Sequence, residues 1–292
     1  MASMLFSQQP FTRSFGTVLE PGEDKSLRAL LGFEGWSKLL DESKLILVRE
    51  ASWDLSTLKE LSRCFMSRTL RYGGNRDFAT EDGHIQYVES GREKVNLHSE
   101  LAFTPFRPDV CLFACQRPSD TGGETTVGDT RAILKAIKPD TRSLLESQPL
   151  AYTRVFPETT WQRMLGTTDV NAARAYLDRV EGLSYKILES GDVWTRFVTP
   201  AILKRGDVPA FSCNIVTVLD TQEALGSDVT FANDERIPEA IVEELRTVLA
   251  SHEIAVHWRP GDILVLENWH ALHGRYAFTD DKRSIVSMFG YR

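Results

Sequence analysis

Residues 258–275 read Trp-Arg-Pro-Gly-Asp-Ile-Leu-Val-Leu-Glu-Asn-Trp-His-Ala-Leu-His-Gly-Arg. The turn Pro260-Gly261-Asp262 launches Ile263 to Leu266, four apolar residues in a row. An unbroken run of that length, following a turn signal, reads as a strand covered on both faces. The strand delivers Asn268 to its end, and a loop around His270 to Gly274 carries His273. A last apolar strand, Ser284 to Phe289, begins just after Arg283. A cation entering a buried strand is costly unless paired, and a bidentate carboxylate fits the planar guanidinium better than it fits lysine.

Further strands read outward from this stretch. Leu45 to Arg49 is one, Val110 to Ala114 another, entering a turn at Pro118 to Gly123, and Phe211 to Leu219 a third. Helical spacing covers Leu55 to Leu70, with Ser56 as N-cap. Asp129 or Thr130 caps a helix through Ile137, and Asp140 one through Ser147. Asp169 to Val180 and Pro238 to Ala250 are helical, the latter with proline in its first turn. The order predicts a mainly β chain with flanking helices (α+β), an antiparallel core that gathers loops from distant parts of the sequence at one barrel mouth. With no repeat, low-complexity tract or linker, residues 1–292 read as a single domain with a helical insert at about 140–250.

The formal net charge of -7 argues against a nucleic-acid partner, which requires a basic face. The apolar runs are strand-sized, so no membrane span is expected, and Met1 to Phe11 lacks the pattern of a signal peptide. Cys64, Cys111, Cys115 and Cys213 form no Cys-x-x-Cys pair and read as free thiols in a reducing, cytoplasmic setting.

Of the six histidines, only His98 has an acidic residue two positions on, Glu100. On a strand, those two side chains share a face and reach one metal ion. With His273 they supply two imidazoles and a carboxylate, the facial set that holds non-haem iron. The third piece is Gly122-Gly123-Glu124-Thr125-Thr126, where the glycines allow a tight turn and the threonine can donate a hydroxyl to a carboxylate.

These pieces, in this order, resemble the taurine dioxygenase-like (TauD/TfdA) superfamily of Fe(II)/2-oxoglutarate-dependent oxygenases. The resemblance runs from about Leu45 to the C-terminus and rests on Leu97-His98-Ser99-Glu100-Leu101-Ala102-Phe103, Gly122 to Thr125, Pro260-Gly261-Asp262, Asn268, His273-Gly274-Arg275 and Arg283. It implies a double-stranded β-helix, the jelly-roll or cupin-like fold. It implies His98, Glu100 and His273 as iron ligands, Arg283 with Thr125 for the distal carboxylate of 2-oxoglutarate, and Arg275 for either carboxylate or the mouth of the site. Asn268 and Asp262 are implied as structural, and His270 as a non-ligand. Cofactors are then Fe(II), 2-oxoglutarate as cosubstrate, and dioxygen.

Two departures bear on the substrate. The acidic ligand is glutamate, as in the clavaminate synthase-like and amino-acid hydroxylase branch, and Ser287 stands where sulfonate enzymes carry an arginine. An intact Glu100 also fills the place where related halogenases hold chloride. The resemblance therefore implies oxidation of an unactivated C–H bond, by hydroxylation, desaturation or cyclisation, in an amino-acid-derived or natural-product intermediate, with release of succinate and CO2. The pocket is expected to draw on Tyr152, Arg154, Phe156, Trp161, Trp194, Arg196 and Phe211, with Arg154, Arg163 and Arg196 as candidates for a substrate anion. The partner is a small molecule, and a homo-oligomer is compatible with the reading. The alternatives are a catabolic dioxygenase of a small carboxylate or sulfonate, a non-catalytic metal-binding barrel, and a zinc hydrolase.

Overall fold

The computed structural model describes residues 6–23, 25–71, 76–88, 91–205, 208–211, 214–221 and 226–292. Its core is a jelly roll of two sheets. The larger sheet runs Phe6–Pro10, Thr17–Pro21, Leu45–Val48, Ile263–Glu267, Val110–Arg117, Ser284–Tyr291 and Arg68–Leu70, with Gln86–Tyr87 also on Ser284–Tyr291. The smaller runs Ile254–Val256, Thr125–Asp129, Ala271–Arg275 and Val95–His98. Pairing is antiparallel except between Thr17–Pro21 and Leu45–Val48.

The apolar runs are continuous because the larger sheet is covered on both faces. Successive side chains of a strand point to opposite sides. Leu45, Leu47, Cys111, Phe113, Leu264, Leu266, Ile285 and Phe289 face inward and meet Val127, Val256 and Ala271 of the smaller sheet. The alternate residues Ile46, Val48, Leu112, Ala114, Ile263, Val265, Val286 and Met288 pack on the helices Leu27–Leu30, Trp36–Ser43 and Leu55–Ser62. The smaller sheet turns Leu97 and Leu272 toward Thr130–Ala136, Pro139–Ser147 and Glu239–Ser251. Among the described residues, no helix is long and apolar enough to cross a membrane. Cys64, Cys111 and Cys115 are free thiols. Cys213 lies outside the described residues.

Several elements differ from expectation. The first long helix ends at Ser62 and starts earlier, because Asp54, not Ser56, forms a capping box with Thr57. The residues beyond it yield Arg68–Leu70, paired to Phe289 and its neighbours at the sheet edge. Pro139 opens its helix, so Lys138 is the N-cap and Asp140 lies in the first turn, where the helix dipole favours it. Ile215–Asp220 is helical rather than extended, since Ile215, Val216 and Val218 bury at helical spacing against neighbouring helices. Its β-branched composition masks that spacing. The stretch 140–250, expected to be helical, carries in addition a four-stranded sheet of Leu183–Ile187, Val193–Thr199, Leu150–Phe156 and Ser227–Phe231, and the hairpin of Ile202–Arg205 with Val208–Phe211.

Asp262 fixes the turn before the central strand. It is fully buried, and its carboxylate accepts from Arg49 Nη1 at 2.7 Å, from Glu50 N at 2.9 Å and from Arg259 N at 2.8 Å. Replacing it leaves the Arg49 guanidinium with the His257 carbonyl but no carboxylate, and removes the acceptor of two backbone N–H groups. Asp262→Ala is expected to lose about 3–5 kcal/mol of stability, read from urea unfolding.

Candidate metal centre

In the smaller sheet, Val95–His98 pairs with Ala271–Arg275, and His273 stands directly opposite His98. The pairing sets the two imidazole centroids 4.4 Å apart. His273 is therefore on a strand, not in the expected loop, with its ring 5.1 Å from that of Phe113.

Glu100 reaches the same place by a different route from the one expected. The strand ends at His98, and the chain turns through Leu101 at φ +54. Shared strand alternation thus does not align residues 98 and 100. Two asparagines do. Asn268 accepts from Glu100 N at 2.9 Å and donates to Glu100 O at 3.0 Å and Pro108 O at 2.9 Å. Asn214 accepts from Ser99 N at 3.1 Å and donates to Ser99 O at 2.8 Å. Arg107 closes the turn by donating to Ser99 Oγ at 3.2 Å and to the Asn268 carbonyl, its guanidinium 4.0 Å from the centre of the Trp269 ring.

The result is three donor atoms, from His98, Glu100 and His273, all within 4.8 Å of one another. His98 Nδ1 lies 2.9 Å from the Asn96 carbonyl, to which it can only donate, so Nε2 is left with the lone pair. Burial, with His273 adding to it, pulls the His98 pKa to about 4, so the ring is neutral at pH 7. Burial pushes the Glu100 carboxyl up, but Arg76 and the two histidines outweigh it and hold the carboxylate at about 2. Arg76 Nη2 is 3.5 Å from both Glu100 oxygens. His273 Nε2 is 3.4 Å from Glu100 Oε2. Two neutral-capable imidazoles and an ionised carboxylate, gathered at one spot, are a donor set that fits Fe(II) and leaves coordination positions open.

Beside it lies a cationic pocket. Arg275, on the strand of His273, faces Thr125 in register. Arg283 Nε donates to the Gly123 carbonyl at 3.0 Å. Gly122 and Gly123 both take positive φ, and a Cβ on Gly122 would come within 2.2 Å of the Ala277 carbonyl. Only glycine permits that approach. Trp258 Nε1 donates to Thr125 Oγ1 at 3.0 Å, which leaves the threonine proton available to another acceptor. Burial, then the neighbouring Arg275, lowers the Arg283 pKa to about 10. No carboxylate of the described residues is ion-paired with Arg283. Two close guanidiniums and a hydroxyl fit a carboxylate.

One cavity of about 390 Å³ contains His98, Glu100, His273, Thr125, Arg275 and Arg283. Among the residues expected to line it, Arg154 does. Tyr152, Phe156, Trp161 and Phe211 pack into hydrophobic clusters, Arg196 pairs with Asp234 at 2.8 Å, and Arg163 lies over the Phe78 ring. His270 is buried away from the donor set, with Nδ1 2.7 Å from Glu267 Oε2. Sequence reasoning missed Arg76, Asn214 and Arg107. None belongs to a short motif, and only the fold brings them to the turn at residues 99–100.

The taurine catabolism dioxygenase TauD, TfdA family model matches residues 7–289. A clavaminate synthase-like protein of Arabidopsis thaliana is 26% identical over 217 residues, 67% of this chain and 65% of that protein. The dapdiamide synthesis protein DdaC of Enterobacter agglomerans is 22% identical over 211 residues, 65% of this chain and 64% of that protein. The matches thus span just under two thirds of the length of these relatives. Among solved structures, the PvcB protein from Pseudomonas aeruginosa superposes with a TM-score of 0.65 at 18% identity, covering 100% of this chain and 93% of PvcB. A second PvcB structure, of an Fe, alpha-ketoglutarate dependent oxygenase from an isonitrile synthetic pathway, gives 0.62 at 17% identity, with the same coverage.

Removing the Asn268 clamp frees the Glu100 backbone without touching a donor atom. Asn268→Ala is expected to weaken Fe(II) affinity by about 10–100-fold, measured by anaerobic calorimetry on folded protein.

Proposed function

The chain belongs to the TauD, TfdA family, and on that footing we propose that it is an Fe(II)/2-oxoglutarate-dependent dioxygenase, a single-domain oxidoreductase of the cytoplasm. The observation that carries this reading is the meeting, in one cavity, of a His98–Glu100–His273 donor set and an arginine pair without a carboxylate partner at Arg283. His98, Glu100 and His273 hold the iron. Arg283 and Thr125 hold the distal carboxylate of 2-oxoglutarate, with Arg275 adding positive charge. When bound, iron, 2-oxoglutarate and dioxygen supply an oxidant strong enough for an unactivated C–H bond, with release of succinate and CO2.

The chain's own part is geometry and exclusion of water. Asn96 fixes the His98 tautomer, Asn268 and Asn214 fix the turn that carries Glu100, and Trp258 orients the Thr125 hydroxyl. Val88, Leu101, Phe103, Phe113 and Val218 supply apolar walls to the cavity. The substrate is an amino-acid-derived or natural-product biosynthetic intermediate, and hydroxylation is the outcome. Relatives named for dapdiamide synthesis and for an isonitrile synthetic pathway support the biosynthetic setting. A sulfonate substrate is disfavoured, because Ser287 is buried with its hydroxyl on the Gln86 carbonyl and provides no cation.

Incubation with 2-oxoglutarate, ¹⁸O₂ and a panel of amino acids and their N-acyl derivatives tests the reading. One succinate per product carrying a single heavy oxygen supports it. Succinate that never accompanies an oxidised product, across the panel and a set of small catabolic acids, counts against it. Arg283→Ala is expected to raise the 2-oxoglutarate Kd by about thirtyfold or more, the low end of a loss of about 2–5 kcal/mol, with Arg283→Lys in between.

A further inference from the structure

We propose that the primary substrate is a free carboxylic acid and that Arg154 binds its carboxylate, in an anion site separate from the 2-oxoglutarate pocket. This deepens the oxygenase reading and rests on it.

Arg154 lies on Leu150–Phe156, with Thr195 and Ser227 directly opposite on the two flanking strands. Residues in register share a face, so this row is one arginine between two neutral hydroxyl residues. Arg154 and Ser227 line the metal cavity. The adjacent row, Arg196–Thr153–Asp228, faces the other way. There Arg196 has its counter-ion, Asp234, at 2.8 Å, and the Ala232 carbonyl also at 2.8 Å. The Asp228 carboxylate accepts from Val229 N. The same sheet thus neutralises the arginine on its outer face and leaves the one on its cavity face without a carboxylate.

Arg154 has no ion pair and no side-chain hydrogen bond among the described residues, and its Nε is buried without an acceptor. What holds it is aromatic. Its guanidinium carbon is 5.1 Å from the Phe103 ring centre and 5.3 Å from that of Phe156. Ring faces orient a guanidinium and leave its donor edge and its charge unsatisfied. Phe103 follows Glu100 by three residues, so the turn that carries the metal donor also carries part of the arginine's clamp. Thr217, whose buried Oγ1 lacks a partner among the described residues, lines the same cavity.

The ligand this chemistry recognises is a planar anion attached to an apolar body, since Val88, Leu101, Val155 and Val218 form the walls. A cavity of about 390 Å³ that must also hold 2-oxoglutarate suits a small molecule. A substrate tethered to a carrier through that carboxyl as a thioester has no anion to offer, so the site selects the free acid.

The test loads the protein with Fe(II) and saturating 2-oxoglutarate without oxygen, which occupies Arg283 and Arg275. Calorimetry then compares 3-phenylpropionate, 4-methylpentanoate and N-acetyl-leucine with their primary amides. At least one acid is expected to bind tenfold or more tighter than its amide. Arg154→Gln is expected to bring the two within twofold while Fe(II) and 2-oxoglutarate still bind, and Arg154→Lys to restore part of the preference. An acid preference that survives in Arg154→Gln overturns the site, as does a wild type that prefers none of the acids. Failure of the wild type to bind Fe(II) with 2-oxoglutarate in the loading step refutes the oxygenase reading itself, so the two failures are distinguishable.

Discussion

The pairing of His98 against His273 across two antiparallel strands is the constraint on which the rest of the site depends. It joins residues separated by more than half the chain, and it fixes their rings 4.4 Å apart before any ion arrives. A strand cannot also bring Glu100 in, because the chain must turn there to leave the sheet. Asn268 and Asn214 solve this by holding the backbone of Glu100 and Ser99 with four hydrogen bonds in fixed directions. Asn268 is itself placed by the central strand Ile263–Glu267, and that strand by the buried Asp262 turn. A continuous mechanical link therefore runs from the core to the donor atoms, which is the arrangement a preorganised site requires.

The second constraint is charge. The chain is acidic overall, at -7, yet the cavity collects Arg76, Arg154, Arg275 and Arg283 around one carboxylate, Glu100. Arg76 contacts Glu100 directly, while burial and the neighbouring Arg275 lower the Arg283 pKa to about 10, which leaves it a full cation at neutral pH. A cavity so arranged is built for anions, set within an acidic exterior. The two anion pockets have separate origins. Arg275 lies on a barrel strand and Arg283 just before one, whereas Arg154 comes from the sheet between residues 150 and 231.

Much of this was legible in the chain. Leu45–Val48, Val110–Arg117 and Ile263–Glu267 announce themselves because both faces of the larger sheet are covered, which leaves unbroken apolar runs. His98, Glu100, His273 and Arg283 stand out as residue types that a buried strand does not otherwise favour, Thr125 by its place just after the Gly122-Gly123 turn, and the structure brings all five into one cavity. The mechanism by which Glu100 arrives was not legible, since two asparagines 54 residues apart act on one turn only through the tertiary fold. Ile215–Asp220 does not announce itself as a helix, because β-branched residues hide its helical burial. The strand carrying His273 resembles a loop in sequence because histidine and glycine interrupt its apolar pattern. Arg154 was one of three arginines of equal standing, and only strand register separated it from Arg196.

The measurement that tests the central claim most directly is an anaerobic optical titration with Fe(II) and then 2-oxoglutarate. A weak visible charge-transfer band that needs both additions, and is absent in His98→Ala, is the expected result. A folded wild-type protein that binds iron yet shows no such band with 2-oxoglutarate would contradict it.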